Sequence, residues 1–255
     1  MVQVMFSTLS GLLRSRKLFP RVILGAIGAV AAIAISRVVE VRAEEMSSDQ
    51  ITAMIQSVSP ELADVLSQDF ATEYAALKSA MAMEIAVGGD VKAATTQALL
   101  DLKAQSAGYI AQADDSALAA FANSMIALYS SVTDLDGPLM CADYVTNGAG
   151  AMAGTDFAAR HAQAAMSNLA TLLRTASTGR DHPVERRPAT DAEWADVATQ
   201  SLALGATSEG FDALAQGTVH PDLCPSIVAF LKAAQGNDGA QLVRAEVLTL
   251  FAKGE

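Results

Sequence analysis

Few side chains in this 255-residue sequence have the type and spacing that chemistry requires. Two cysteines are present, Cys141 and Cys224. Neither sits in a C-x-x-C pair, so the sequence offers no thioredoxin-like redox motif and no paired-cysteine zinc knuckle. Each follows a proline by three positions (Pro138 and Pro221), a spacing that suits a cysteine in the first turns of a helix. In an oxidising compartment an even pair implies one disulfide, and closing a loop this long would stabilise the fold by roughly 4 kcal/mol. In a reducing compartment the same residues would pack as small apolar thiols. The three histidines are His161, beside an apolar helical stripe, His182, in a polar stretch, and His220, before Pro221. No two are spaced i, i+3 or i, i+4, so no helical metal face is encoded.

A basic island stands out in an otherwise acidic body: Arg180, His182, Arg186 and Arg187. Its guanidinium groups suit an anionic ligand or headgroup, pairing with an acidic helix of the same chain, or simple solvation. Asp134-Leu135-Asp136-Gly137 resembles the opening of a calcium loop. The twelfth position is Val145 where a bidentate Glu is needed, so it reads as an acidic turn. Gly148-Ala149-Gly150 lacks the preceding strand of a dinucleotide site. The ten methionines are scattered, and Met81 and Met83 fall on different helix faces, so they read as core filling rather than copper ligands. With no nucleophile elbow, zincin motif or phosphate loop, the sequence assigns no catalytic residue, no metal and no cofactor.

The elements that would position these residues begin with a charge asymmetry. Residues 1–43 hold six basic groups against one acid, Glu40, leaving 11 basic and 27 acidic groups in the rest. An acidic body repels phosphate backbones and argues against nucleic acid as a partner. A basic stretch, residues 1–17, precedes a charge-free run from Val22 to Ser36. As a helix that run spans about 22 Å. Flanking residues extend it over 18–41 to the ~30 Å of a bilayer core, with Arg21 and Arg37 reaching the two interfaces. Three readings stand: a retained anchor, a signal peptide cleaved after Ala43, or a core helix. The first two place the basic end in the cytoplasm and the acidic body, 44–255, outside it. The expected partner of Val22 to Ser36 is then the lipid bilayer.

The body reads as all-α. Alternating strand patterns are missing, and Ala, Leu, Met, Gln and Glu dominate the periodic segments. Ser59-Pro60-Glu61 is a helix start, followed by one apolar stripe through Leu62, Leu66, Phe70, Tyr74, Leu77 and Met81, ended by Gly88-Gly89. Val91, Ala94, Ala98, Leu102 and Tyr109 predict the next helix, to about Ala113. Leu118, Phe121, Ala122, Met125, Leu128 and Tyr129 mark another, ended by a turn over Thr133–Pro138. Further helices follow Asp156, run over Asp191–Leu204 and Ser208–Ala215, and close as a hairpin, Pro221–Ala234 with Asp238–Ala252. Ser177–Pro188 is the most polar stretch and the expected linker or hinge.

About nine helices with short connections imply an antiparallel multi-helix bundle able to bury a sizeable core. Only 5% of residues are aromatic, so Ala and Leu must do the packing at close interhelical approach. The functional expectation is a membrane-tethered or secreted envelope protein. Its body would be a non-enzymatic interaction or scaffold module that docks to another envelope protein or to itself. The alternative is a ligand-binding domain or enzyme with a pocket between helices.

Overall fold

The computed structural model describes residues 48–148 and 156–253. They form eleven α-helices and one 3-10 helix, with no strand among them. In chain order these are α1 (Ser48–Val58), α2 (Pro60–Asp69), α3 (Ala71–Val87), α4 (Val91–Ser106), the 3-10 helix η1 (Ala107–Gln112), α5 (Asp115–Asp136) and α6 (Pro138–Asn147). They continue with α7 (Phe157–Asp181), α8 (Asp191–Ala203), α9 (Ser208–Gln216), α10 (Leu223–Ala233) and α11 (Asp238–Lys253). The segments 1–17 and 18–41, with Val22 to Ser36 and the cleavage position Ala43, lie outside the described residues. No described helix is long and apolar enough to cross a membrane.

Helix starts follow the local chemistry of the sequence. The Ser59, Asp90, Asp114 and Thr207 side chains each accept a hydrogen bond from a backbone N–H of the turn that follows. Thr190 and Glu193 form a reciprocal capping box at the start of α8. Between α5 and α6 the turn is a single residue, Gly137 at φ +90°, a conformation that L side chains rarely adopt.

Three expectations change. The stripe from Leu62 to Met81 lies on two helices, broken at Phe70. Its first three spacings are all four residues, and each advances the side chain about 40° beyond a full turn. A straight helix would carry Tyr74 and Leu77 off the core face. The break resets the register, and all six residues are buried.

The expected turn over Thr133–Pro138 shrinks to Gly137, because α5 continues to Asp136 and α6 starts at Pro138. The linker over Ser177–Pro188 is also shorter, since α7 extends through Asp181. Ser177 and Gly179 are buried where α7 crosses η1, so the small polar residues there serve a close crossing. The non-helical connection is residues 182–190, called the strap below.

Helix α7 is the spine. Helices α2, α4 and α5 and the 3-10 helix η1 pack against it, while α10 joins α5, α6, α8 and α9, and α11 lies on η1, α5 and α8. The buried apolar residues make one continuous core. The tightest crossing is at Gly179, where a Cβ would sit 2.1 Å from the Tyr109 carbonyl oxygen and 2.8 Å from the Ala113 nitrogen. Both are backbone atoms and cannot rotate away. Gly179→Ala should therefore lower stability by roughly 1–3 kcal/mol, read as a lower urea midpoint at unchanged slope. An unchanged midpoint would show that the crossing is looser than these distances imply.

Candidate functional site

The chemistry-bearing residues gather at three places. The first is the corner between α5 and α6. Cys141, in the first turn of α6, is bonded to Cys224 at the start of α10 across 83 positions, with Cα atoms 6.1 Å apart. Both cysteines are fully buried. Asp136, the last residue of α5, accepts from Arg160 Nη2 and lies 2.5 Å from His161 Nε2 through its second oxygen. His161 is 1% exposed, and its Nδ1 has no hydrogen-bond partner. Its ring packs on Phe157 (centroids 4.6 Å apart), which packs in turn on Tyr144 (5.4 Å). Burial pushes the Asp136 carboxyl up, but the hydrogen bonds from His161 and Arg160 and their charges outweigh it and hold it below the ordinary carboxylate range. Burial also drives the Tyr144 and Tyr129 phenols well above their usual range, so both stay neutral.

The second place is the strap. Arg180 is still on α7, bonded to Asp181 and stacked over the Phe70 ring at 5.1 Å. His182 caps α7 through its backbone N–H and is exposed. Arg186 donates to the Ala111 carbonyl and to Asp115, both at 3.0 Å. Arg187 makes a two-pronged pair with Glu193. That pairing, with the capping bonds from Thr190, holds the Glu193 carboxyl down to about 2. The island is therefore not convergent. Arg186 and Arg187 share one groove, Arg180 and His182 do not line it, and each arginine has a carboxylate of the same chain.

The groove measures about 740 Å³ and runs between strap residues Pro183–Pro188, Ala111 and Gln112 of η1, and Leu242, Ala245 and Glu246 of α11. The strap is fixed at both ends of it. Val184 N–H donates to the Gln112 carbonyl (2.8 Å) and Ala189 N–H to Glu246 Oε1 (2.6 Å). Arg244, buried on α11, donates to the Asp115 carbonyl at 3.2 Å, and its guanidinium lies 3.6 Å from the Asp115 carboxylate. Burial lowers the pKa of Arg244.

The third place is Lys103 on α4, 1% exposed, whose Nζ has no hydrogen-bond partner. Burial alone pushes its amine down to about 8.

Sequence reasoning brought out the disulfide pair and the arginines, but not Lys103, Arg244 or the partnership of Asp136 with His161. For Lys103 a signal exists: Thr95, Leu99, Leu102, Ser106 and Ala107 form the buried face of α4 and its continuation, and Lys103 stands within it. The stripe read from Val91, Ala94 and Ala98 is offset from that face, and Tyr109, its last member, is exposed. The shift to 3-10 geometry at Ala107 buries Ile110 instead. Among the described residues no three His, Cys, Asp or Glu side chains cluster as a metal site would require. No protein-family model, no curated protein and no solved structure matches the chain.

Two outcomes are expected from this geometry. Asp136 has its pKa lowered by folding, so its contribution is present above the ordinary carboxylate range and is lost as pH falls through and below it. Denaturation between pH 5 and pH 3 should show wild type losing more stability than Asp136→Asn, with the variant weaker at pH 7 by roughly 1–3 kcal/mol. Parallel curves would remove the ion pair from the account. At the strap, Arg186→Ala should raise hydrogen exchange at the Val184 amide by about tenfold or more, the equivalent of ~1.4 kcal/mol of local opening. Unchanged protection there would mean that the backbone bonds hold the strap alone.

Proposed function

We propose that the chain is an exported helical interaction module. On this reading it is carried across a membrane by its N-terminal apolar segment, and its body, 44–255, docks to an envelope protein or to a second copy. The observation that carries this reading is the disulfide between α6 and α10, with both cysteines sealed in the core. Such bonds form and persist in oxidising compartments and are rare where thiols are kept reduced. The topology inferred from residues 1–43 delivers the body to such a compartment.

Two further features support docking over catalysis. His161 and Lys103, which could act as base or nucleophile, are shut off from solvent, and the arginines are held by carboxylates of the same chain. Leu135, Leu139 and Met140 stand exposed around the α5–α6 corner, at 65%, 57% and 37%. Exposed large apolar side chains grouped at one corner suit a protein contact. The groove beside the strap is the specific feature that favours the alternative, a small-molecule binding domain, since its volume falls in the range of ligand sites.

The compartment is tested by a reporter fused to the C-terminal end that is active only outside the cytoplasm, together with thiol labelling of the protein as recovered. An active reporter and labelling only after reduction are the expected results. A reporter active only inside the cell, or two thiols that label after unfolding without reductant, would overturn the reading. Replacing both cysteines by Ser should cost roughly 4 kcal/mol of stability. For docking, Leu135→Asp with Leu139→Asp should reduce the cross-linked partner recovered from membranes at least tenfold while the circular dichroism stays that of wild type. Undiminished recovery would move the contact away from this corner.

A further inference from the structure

The groove beside the strap is held in shape by its own chain. Val184 N–H is bonded to the Gln112 carbonyl, and Ala189 N–H to Glu246 Oε1. Pro183 and Pro188 each precede one of these anchor residues. A proline fixes one backbone dihedral and offers no N–H of its own, which narrows the paths the strap can take. A groove fixed in this way loses little conformational freedom when it is filled.

The sequence marks this region as basic, but the charges left available have the opposite sign. Arg186 is bonded to Asp115 and to the Ala111 carbonyl, Arg187 to Glu193, and Arg244 lies beside Asp115. The Asp114 carboxylate also feels Arg186. Asp114, Asp115 and Glu193 thus answer Arg186, Arg187 and Arg244 one for one. Two carboxylates that line the groove are left over. Glu185, on the strap, is exposed and makes no hydrogen bond or ion pair among the described residues. Glu246, on α11, gives one oxygen to the Ala189 N–H, and its Oε2 has no partner among the described residues.

The lining also carries an apolar surface. Leu242, Ala245 and Glu246 fall three and four positions apart, on one face of α11, and Val184 joins them from the strap. Val184 is 38% exposed. An apolar wall with a few charges beside it suits an amphiphile rather than a bare ion. Two carboxylates are too few to enclose a metal ion, and among the described residues no three His, Cys, Asp or Glu side chains gather as one would need. An ammonium group is satisfied by one or two carboxylates, through charge-assisted hydrogen bonds.

We propose that this groove binds an organic cation, with its ammonium group held by Glu185 and Glu246 and its apolar body laid against Val184, Leu242 and Ala245. The site is independent of the docking reading, since it uses neither the α5–α6 corner nor the N-terminal apolar segment.

The test titrates the full chain with phenylbutylammonium, phenylbutanol and phenylbutanoate, which share one apolar body and differ in charge. The backbone amide resonances of Val184, Ala189 and Ala245 are followed by NMR. The ammonium should give saturable shifts at roughly millimolar concentration, the alcohol should bind about tenfold more weakly, and the carboxylate should give none. Glu185→Gln and Glu246→Gln should each weaken the ammonium roughly three- to fivefold, and together roughly tenfold or more, leaving the alcohol unchanged. The amide oxygen introduced by Glu246→Gln can still accept from Ala189, so exchange of the Ala189 amide should stay that of wild type. If that exchange quickens, Glu185→Gln decides alone: a weakened ammonium supports the site, and an unchanged one overturns it. A carboxylate that binds as tightly as the ammonium would show that the arginines govern the groove, and would overturn the assignment. So would the absence of saturable shifts with the ammonium, or an affinity for it unmoved in the double variant.

Discussion

The backbone contact between α7 and η1 fixes the path of the strap and of the helices C-terminal to it. At Gly179 the two chain segments approach so closely that no Cβ fits. Ala165, Ala170 and Ala176 keep the same long helix slim along its buried length. Because α7 crosses η1 there and ends two residues later, the strap leaves the helix beside Gln112, and Val184 bonds to it immediately. From that point Arg186 reaches both the Ala111 carbonyl and Asp115. Widening the crossing by one methyl group would displace every one of these contacts together. A core with few aromatic rings depends on such approaches, since small side chains gain dispersion energy only when backbones come close.

Electrostatics then fasten α5 at both ends. Its first turn carries Asp114 and Asp115 at the positive end of the helix dipole, and Arg186 and Arg244 close over Asp115 from the strap and from α11. Its last residue, Asp136, stands at the negative end, where a carboxylate is unfavourable unless cations meet it. The Arg160 guanidinium supplies that role, and the His161 ring nitrogen bonds the second oxygen, both from the N-terminal part of α7. The disulfide one turn beyond adds a covalent tie from α6 to α10. Helix α5 is thereby tied to the strap, α7 and α11. The buried His161 imidazole is one of these ties.

Much of the helical architecture was legible because caps and stripes are local. Ser59-Pro60, Asp114 and the Leu118–Tyr129 stripe mark helices where they occur, and Asp191, Ser208 and Asp238 open helices as expected. The break at Phe70 was hidden because a run of four-residue spacings looks like one stripe and reveals its drift only when angles are summed. The strap was drawn too long because Ser, Thr and Gly signal a loop by composition, while in α7 they serve a crossing whose partner, η1, lies about seventy residues earlier in the chain. The arginines were visible as a group, but a charge run carries no information about its acceptors. Asp115 and Glu193 are ordinary first-turn acids in sequence, and only the crossing of α7 over η1 brings Asp115 within reach of Arg186. Lys103 was missed because a single cation inside an apolar face reads as an error in the face.

These observations bear on function through what remains uncommitted. A site for catalysis needs polar groups poised in an open cleft, with their bonds left for substrate. Here the imidazole is turned to a carboxylate inside the core, and the guanidinium groups face acids of their own chain. What the surface leaves open is a set of apolar side chains at the α5–α6 corner. That corner is also where ion pair, aromatic stack and disulfide converge. A docking surface benefits from that rigidity, because side chains held in place before contact lose little entropy on binding. The proposed interaction role thus rests on the same ties that hold α5: they engage His161, Arg160 and Arg186, and they stiffen a corner where Leu135, Leu139 and Met140 face outward.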